Sequence, residues 1–140
     1  MKPTINNITM KVTAFVEKGG RKSFSCRLDE TISKCLAIGY GNTAQEAIDD
    51  LAVSCREAYE MSNDETFLNL EIEYRFDVGS LFDYYSFLNI EGMASLTGIS
   101  ASVLRQYASG ARQPREDKLK LIEEGLRKAS EQIQRVVLCA

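Results

Sequence analysis

The spacing of the apolar residues changes once along this 140-residue chain, and the change restricts the folds open to it. Up to about residue 78, most apolar residues alternate with polar ones, which is typical of strands with one buried face. Beyond that point they recur three and four positions apart, as on the buried side of helices. The sequence therefore predicts an α+β protein with two domains, residues 1–78 and residues 79–140.

The first domain combines alternating segments with one helical segment. Strands are predicted around residues 8–16, 24–28, 36–40 and 68–76. Before the last strand, Thr43 and Glu46 have the spacing of a capping box, and apolar residues follow at helical spacing. The predicted order is β-β-β-α-β, in which one helix covers one face of the sheet. The alternating apolar residues are Ile8, Met10, Val12, Ala14, Val16, Phe24, Cys26, Leu28, Leu36, Ile38, Tyr40, Leu68, Leu70, Ile72, Tyr74 and Phe76.

This element order and the segment AIGYGNTAQEAIDDLAVSCREAYE, residues 37–60, resemble the N-terminal domain of HicB-type antitoxins. The resemblance covers roughly residues 8–76 and implies a partial ribonuclease-H-like sheet with one helix, which binds a HicA-like toxin protein. The family usually enters its third strand through a proline-glycine-cysteine stretch, of which this chain keeps only Cys35. The residues that match the family's glycine turn and threonine-capped helix are Gly41, Thr43, Glu46 and Ala47.

Nothing in the first domain indicates catalysis. Ribonuclease-H chemistry needs carboxylates that converge on two metal ions, whereas the acidic residues here fall on predicted solvent faces. The chain has no histidine and shows no pairing of a nucleophile with a base. We therefore expect no catalytic residue, no metal site, no cofactor and no enzyme activity. The acidic residues considered are Asp49, Asp50, Glu57, Glu71 and Glu73.

Cysteine usage and the start of the chain indicate a cytoplasmic protein. Its four cysteines, at 26, 35, 55 and 139, form no C-x-x-C pair, so we expect reduced thiols that serve as small hydrophobic residues. The opening MKPTINNITMKV lacks the apolar core of a signal peptide. No apolar run approaches the roughly 18 residues of a membrane span, so no membrane association is expected.

In the second domain, residues 89–114, NIEGMASLTGISASVLRQYASGARQP, predict two short helices joined by a tight turn. Gly98 suits the left-handed residue that ends a helix, and Ser100 suits the N-cap of the next one. Gly110 ends that second helix. Pro114 suits the first turn of a third helix, because proline is best tolerated there.

The same stretch resembles the helix-turn-helix of the phage-repressor (XRE/Cro) family, with which nine positions agree: Ala94, Gly98, Ile99, Ser100, Leu104, Tyr107, Gly110, Arg112 and Pro114. The resemblance implies that the second helix enters the major groove of operator DNA. Two positions depart from the family, because Ile90 and Ala111 replace a common glutamine and lysine. The residues carried over as DNA-binding are Ser100, Ala101, Ser102, Arg105, Gln106, Ser109, Arg112 and Gln113.

The residue types fit that role. Arg105 suits guanine and Gln106 suits adenine, while the small Ala101 and Ser102 let the helix approach the bases. Ser109, Arg112 and Gln113 follow the helix and suit phosphates. The alternative is an αα-hairpin in an all-helical domain that binds no DNA.

The last segment has apolar residues at heptad-like spacing, too few for a self-sufficient coiled coil. We expect its first half to close the core of the second domain and its second half to pack on a partner subunit or on the N-terminal sheet. Because one weak helix-turn-helix needs two half-sites, a homodimer or a dimer of dimers is expected. The seam residues are Leu119, Ile122, Leu126, Ala129, Ile133 and Val136.

Together these patterns predict a HicB-like antitoxin and transcriptional repressor, whose partners are double-stranded operator DNA and a HicA-like toxin. The formal net charge of −3 does not indicate nucleic-acid binding through the charge of the whole chain. Two alternatives remain open at this point. One is a stand-alone, ligand-sensing transcriptional regulator without a toxin, and the other is a degraded nuclease-like binding protein.

Overall fold

A four-stranded sheet and five α-helices make up residues 9–140, the part of the chain that the structure, a computed structural model, describes. About half of the chain is helical, so the prediction of a mixed α/β protein is confirmed at that level. The chain divides into two units, the first ending at Tyr84 and the second beginning at Tyr85.

The first unit contains all four strands. Its sheet has the order β3-β2-β1-β4, with β1 antiparallel to β2, β2 antiparallel to β3, and β1 parallel to β4. A short 3-10 helix, Glu65–Leu68, precedes the last strand. The elements of this unit are β1 Met10–Lys18, β2 Phe24–Leu28, β3 Ile38–Gly41, α1 Ala44–Ser62, β4 Leu70–Phe76 and α2 Val78–Tyr84.

The core of this unit lies between the sheet and α1. Alternate residues of β1 and β2 are buried, as the period-two pattern predicted, although Ile8 lies outside the described residues. The helix contributes small residues that let it lie close to the strands. The buried residues are Val12, Ala14, Val16, Phe24, Cys26 and Leu28 from the strands, and Ala44, Ala47, Leu51, Cys55 and Ala58 from α1.

The start of α1 is fixed by the predicted cap. The Thr43 hydroxyl accepts a hydrogen bond from the Glu46 backbone N–H at 3.1 Å. The Glu46 carboxylate in turn accepts from the backbone N–H of Asn42 at 2.7 Å. Two N–H groups at the helix start, which cannot bond within the helix, are thereby satisfied.

The third strand presents the opposite face to the one that its apolar alternation suggests. Leu36 and Tyr40 are 48% and 64% exposed, whereas Gly39 is buried against α1. A Cβ on Gly39 would lie 2.3 Å from the carbonyl oxygen of Ala47 and 2.2 Å from the backbone nitrogen of Leu51. The strand turns its glycine to the helix because only a residue without a side chain fits there.

The fourth strand starts later than its alternation suggests. Leu68 belongs to the 3-10 helix and is 55% exposed, while its neighbour Phe67 is buried at 5% exposure. Asp64 caps that short helix by accepting from the backbone N–H of Thr66 at 3.0 Å. The 3-10 helix therefore includes the first residue of the predicted strand, and β4 begins only at Leu70.

Helix α2 belongs to the first unit, although the sequence suggested that the second domain starts at residue 79. The hydroxyl of Ser80, which is fully buried, donates to the carbonyl oxygen of Val16 in β1 at 2.7 Å. The Asp83 carboxylate accepts from the backbone N–H of Ala44 at 2.8 Å. The division between the two units consequently falls at Tyr84 and Tyr85.

The cysteines are free thiols. Cys26 in β2 and Cys55 in α1 are buried in the core between the sheet and the helix, and Cys139 is exposed. Burial, together with the neighbouring Cys55, raises the pKa of the Cys26 thiol to about 12. These two buried cysteines act as small core residues, as expected. Among the described residues, no helix combines the length and apolar character needed to cross a bilayer.

We predict that Gly39→Ala destabilises the first unit by about 3 kcal/mol, because the added methyl group meets the α1 backbone, which cannot move alone. The matched control is Gly20→Ala, since a Cβ at Gly20 meets no atom within 4 Å. The control should change stability by less than about 0.5 kcal/mol. Denaturant unfolding measures both values, and equal stabilities would contradict the close approach of α1 to β3.

Candidate nucleic-acid interface

The second unit consists of three helices: α3 Ile90–Thr97, α4 Ala101–Ser109 and α5 Glu116–Gln134. Helix α3 starts after its N-cap Asn89, whose side-chain oxygen accepts from the Gly92 backbone N–H at 2.6 Å. It ends at Gly98, whose φ of 77° is left-handed and whose N–H donates to the carbonyl of Ala94 at 3.0 Å. Glycine is needed at this position because a side chain disfavours this φ.

The corner between α3 and α4 is closed by Thr97 and Ile99. The Thr97 hydroxyl donates to the carbonyl of Met93 at 2.7 Å and accepts from the N–H of Ile99 at 3.1 Å. Ile99 is 5% exposed, so its side chain fills the corner. The two helices therefore meet in one defined arrangement.

Helix α4 buries one side and exposes the other. Its N-cap is Ser100, whose hydroxyl accepts from the Val103 N–H at 3.2 Å. Leu104 and Tyr107 are buried, at 0% and 6% exposure. Gly110, with φ of 82°, ends the helix, as the sequence predicted. Two left-handed glycines thus bracket a nine-residue helix whose outward side is polar.

Helix α5 packs against α3 and closes the core of this unit. Ile122 is 3% exposed, and a Cβ on Gly125 would lie 2.7 Å from the Thr97 methyl carbon, so α5 and α3 touch closely there. The helix starts at Glu116, with Arg115 as an N-cap that makes no side-chain bond. Pro114 therefore lies just before the helix and not in its first turn, because the chain is still extended at Arg115.

The residues carried over as DNA-binding share one property, which is access to solvent. Seven of them are exposed and Ala101 is half-buried. Within the described part of the chain, four of them make no side-chain hydrogen bond, so their polar groups are available to a ligand. These four are Ser102, Gln106, Arg112 and Gln113.

The other serines have structural tasks as well. Besides the Ser100 cap, the Ser109 hydroxyl donates to the carbonyl of Gln106 at 3.2 Å and accepts from the N–H of Ala111 at 3.3 Å. Ser109 therefore helps to end α4. Its hydroxyl is less available to a phosphate than the sequence suggested.

The structure brings one further residue, Glu91, to the candidate site. The Arg105 guanidinium forms an ion pair with the carboxylate of Glu91, which lies in the first turn of α3. The two side chains are 57% and 70% exposed. In the sequence, Glu91 looks like an ordinary acidic residue at a helix start, and only the packing of α3 beside α4 brings it to Arg105.

The C-terminal end of the seam stays exposed. In the first half, Ile122 lies in the core as predicted, whereas Leu119 is 38% exposed. Ile133 and Val136 are 59% and 61% exposed, and the following Val137 and Leu138 are more exposed still. Among residues 9–140, no group of three or more histidine, cysteine, aspartate or glutamate side chains could hold a metal ion.

Comparison with known proteins identifies no relative. No family model, no curated protein and no solved structure matches the chain. The function has to be inferred from the residues themselves and from the arrangement of α3, α4 and α5.

The capping role of Ser100 can be separated from DNA contact by a pair of serine variants. We predict that Ser100→Ala lowers the stability of the second unit by about 1 kcal/mol, because the Val103 N–H loses its acceptor. Ser102→Ala, two residues along on the exposed side, should change stability by less than about 0.5 kcal/mol. Thermal unfolding of the two variants checks this, and an equal loss in both would contradict the cap.

Proposed function

We propose that the chain is a HicB-like antitoxin that acts as a transcriptional repressor. The second unit binds operator DNA as an XRE-type helix-turn-helix with α4 as its recognition helix. The first unit, a partial ribonuclease-H-like domain, binds a HicA-like toxin. The DNA-binding part rests on one observation about α4: its polar side is exposed while its apolar side is buried. A left-handed glycine lies before the helix and another one after it.

The outward side of α4 carries hydrogen-bonding groups at positions that share a face. Arg105 and Gln106 follow Ser102 by three and four positions, so both lie next to Ser102 on the helix surface. Arginine can form two hydrogen bonds with guanine, and glutamine can do the same with adenine. The small Ala101 and Ser102 at the start of the helix permit close approach to the base edges.

Phosphate contacts come from the residues that follow α4. Arg112 and Gln113 are exposed just past Gly110, and Arg115 is exposed at the N-cap of α5. Residues 85–140 contain 8 Lys and Arg against 6 Asp and Glu, a net charge of only +2. Few phosphates are neutralised, so the salt dependence of binding is modest for a repressor and two half-sites are needed.

Glu91 makes Arg105 selective. An exposed ion pair contributes about 0–1 kcal/mol, so DNA can break it at little cost. Where a guanine lies opposite Arg105, two new hydrogen bonds replace the pair. Where it does not, Arg105 stays paired with Glu91 and makes no contact with the phosphates. Glu91 therefore keeps Arg105 from stabilising binding at wrong sites, which raises specificity.

The toxin-binding part rests on the HicB resemblance and on charge. Residues 1–84 contain 9 Lys and Arg against 14 Asp and Glu, a net charge of −5, which suits a basic RNA-binding partner. The test is co-expression with the adjacent reading frame. A small basic product that co-purifies with this chain would support the antitoxin role, and a neighbour that does not bind would remove it without affecting the DNA-binding part.

For DNA binding, we predict that Arg105→Ala costs about 1–3 kcal/mol on the operator and relaxes discrimination at one base pair. Arg112→Ala should instead weaken binding to operator and scrambled duplex alike, and should lower the salt slope by about one. Titrations of both duplexes at several salt concentrations measure these effects. Operator binding by Arg105→Ala that equals the wild type would contradict the role of α4.

Glu91→Gln is the control for the ion pair. It frees Arg105 and removes one negative charge, so it should tighten binding to the scrambled duplex more than to the operator. The double variant Glu91→Gln, Arg105→Ala leaves no unpaired carboxylate at the interface, and it should still fail to discriminate at that base pair. If that double variant regains full discrimination, Arg105 reads no base.

A further inference from the structure

Strand β4 has one unpaired edge. It lies at the end of the sheet beside β1, and within residues 9–140 no strand pairs with its other side. The Asn69 carbonyl accepts from the N–H of Met10 at 3.0 Å, and the Asp77 N–H donates to the carbonyl of Val16 at 3.1 Å. Backbone groups alternate in direction along a strand. The odd-numbered residues of β4 therefore face β1, and Leu70, Ile72 and Tyr74 direct their N–H and C=O groups to the other edge.

The sequence of β4, LEIEYRF, is nearly self-complementary about its central residue, Glu73. We propose that the occupant of this edge is β4 of a second copy of the chain, paired antiparallel about a two-fold axis at Glu73. This register places Glu71 of each copy opposite Arg75 of the other. It also places Ile72 opposite Tyr74 and Leu70 opposite Phe76.

The backbone pattern selects this register. The even-numbered Ile72 and Tyr74 of opposite copies exchange both hydrogen bonds, which is what an antiparallel ladder requires. A shift by one residue would turn the side chains of one copy to the wrong face. A two-fold axis at Ile72 would place Glu71 opposite Glu73, whereas the register about Glu73 pairs all seven residues and places Glu71 opposite Arg75 twice.

On the face of the sheet away from α1, positive and negative side chains balance within the proposed dimer. In each copy, Lys11 lies beside Glu71 in the β1–β4 register, and Arg75 lies 3.4 Å from Glu73. These two cations offset the two carboxylates. Glu73 of one copy faces Glu73 of the other, and this contact alone would be repulsive. Arg75 of each copy lies beside the two carboxylates and offsets the repulsion.

The face toward α1 gains cover. The apolar residues of β4 are only partly buried, and Tyr74 is 38% exposed. The strand contains no proline and no lysine, two of the devices with which exposed edges resist pairing. Pairing with a second copy covers Ile72 and Tyr74 with the same residues of that copy. Strand β4 belongs to the first unit and α4 to the second, so the proposal does not depend on DNA binding.

The test is disulfide trapping in the full chain with Cys139→Ser, which removes the exposed thiol. In the proposed pair, the two Glu73 residues face each other with Cα atoms about 4.5 Å apart, within the range that a disulfide spans, about 4.4–6.8 Å. Glu73→Cys should give a covalent dimer on mild oxidation. The matched control Glu71→Cys, on the same face, should not, because it faces position 75. Equal trapping, or none, would overturn the proposal.

A charge swap gives a second measurement that needs no new thiol. Arg75→Glu turns two attractive cross-strand pairs into repulsive ones, which should weaken self-association by roughly tenfold. Adding Glu71→Arg restores opposite charges at both pairs and should return the affinity to near the wild-type value. Sedimentation equilibrium measures all three proteins. An association constant that Arg75→Glu leaves unchanged, or a double variant as weak as the single one, would overturn the proposal.

Discussion

The left-handed conformation of Gly98 is the constraint on which the candidate interface depends. With φ at 77°, the chain turns sharply enough to bring α4 against α3 and still bury Ile99 in the corner. Thr97 then satisfies the backbone groups at that corner, and Ser100 can begin the next helix. Leu104 and Tyr107 are consequently directed into the core, and Ser102, Arg105, Gln106 and Ser109 on the opposite side face solvent.

A comparable constraint shapes the first unit. Gly39 lets the α1 backbone approach β3 more closely than any side chain allows. This close approach buries Leu51 and Cys55 over the strands, and it leaves β4 at the margin of the layer that α1 covers. Helix α1 thus buries apolar residues of β1 and β2. The apolar residues of β4 stay partly exposed, and one edge of that strand pairs with no other strand of residues 9–140.

Much of this fold follows from local rules. The caps at Thr43, Asn89 and Ser100 and the stops at Gly98 and Gly110 could be predicted, because each depends on a hydrogen bond or a φ angle within a few residues. The face of β3 could not, since it depends on the distance between Gly39 and a helix that follows it. The position of α2 likewise depends on a bond from Ser80 to Val16, which is distant in sequence. In the site, the outward residues of α4 were predictable from helical spacing, whereas the pairing of Arg105 with Glu91 arises only when α3 and α4 pack.

Selection from a random duplex library measures whether α4 reads DNA sequence. The full-length protein is mixed with the library at moderate salt, and the bound duplexes are amplified and sequenced over several rounds. We expect enrichment of an inverted repeat whose half-sites lie about one helical turn apart, each with a guanine that is no longer selected by the Arg105→Ala variant. A library that stays unenriched after repeated rounds would show that α4 reads no DNA sequence.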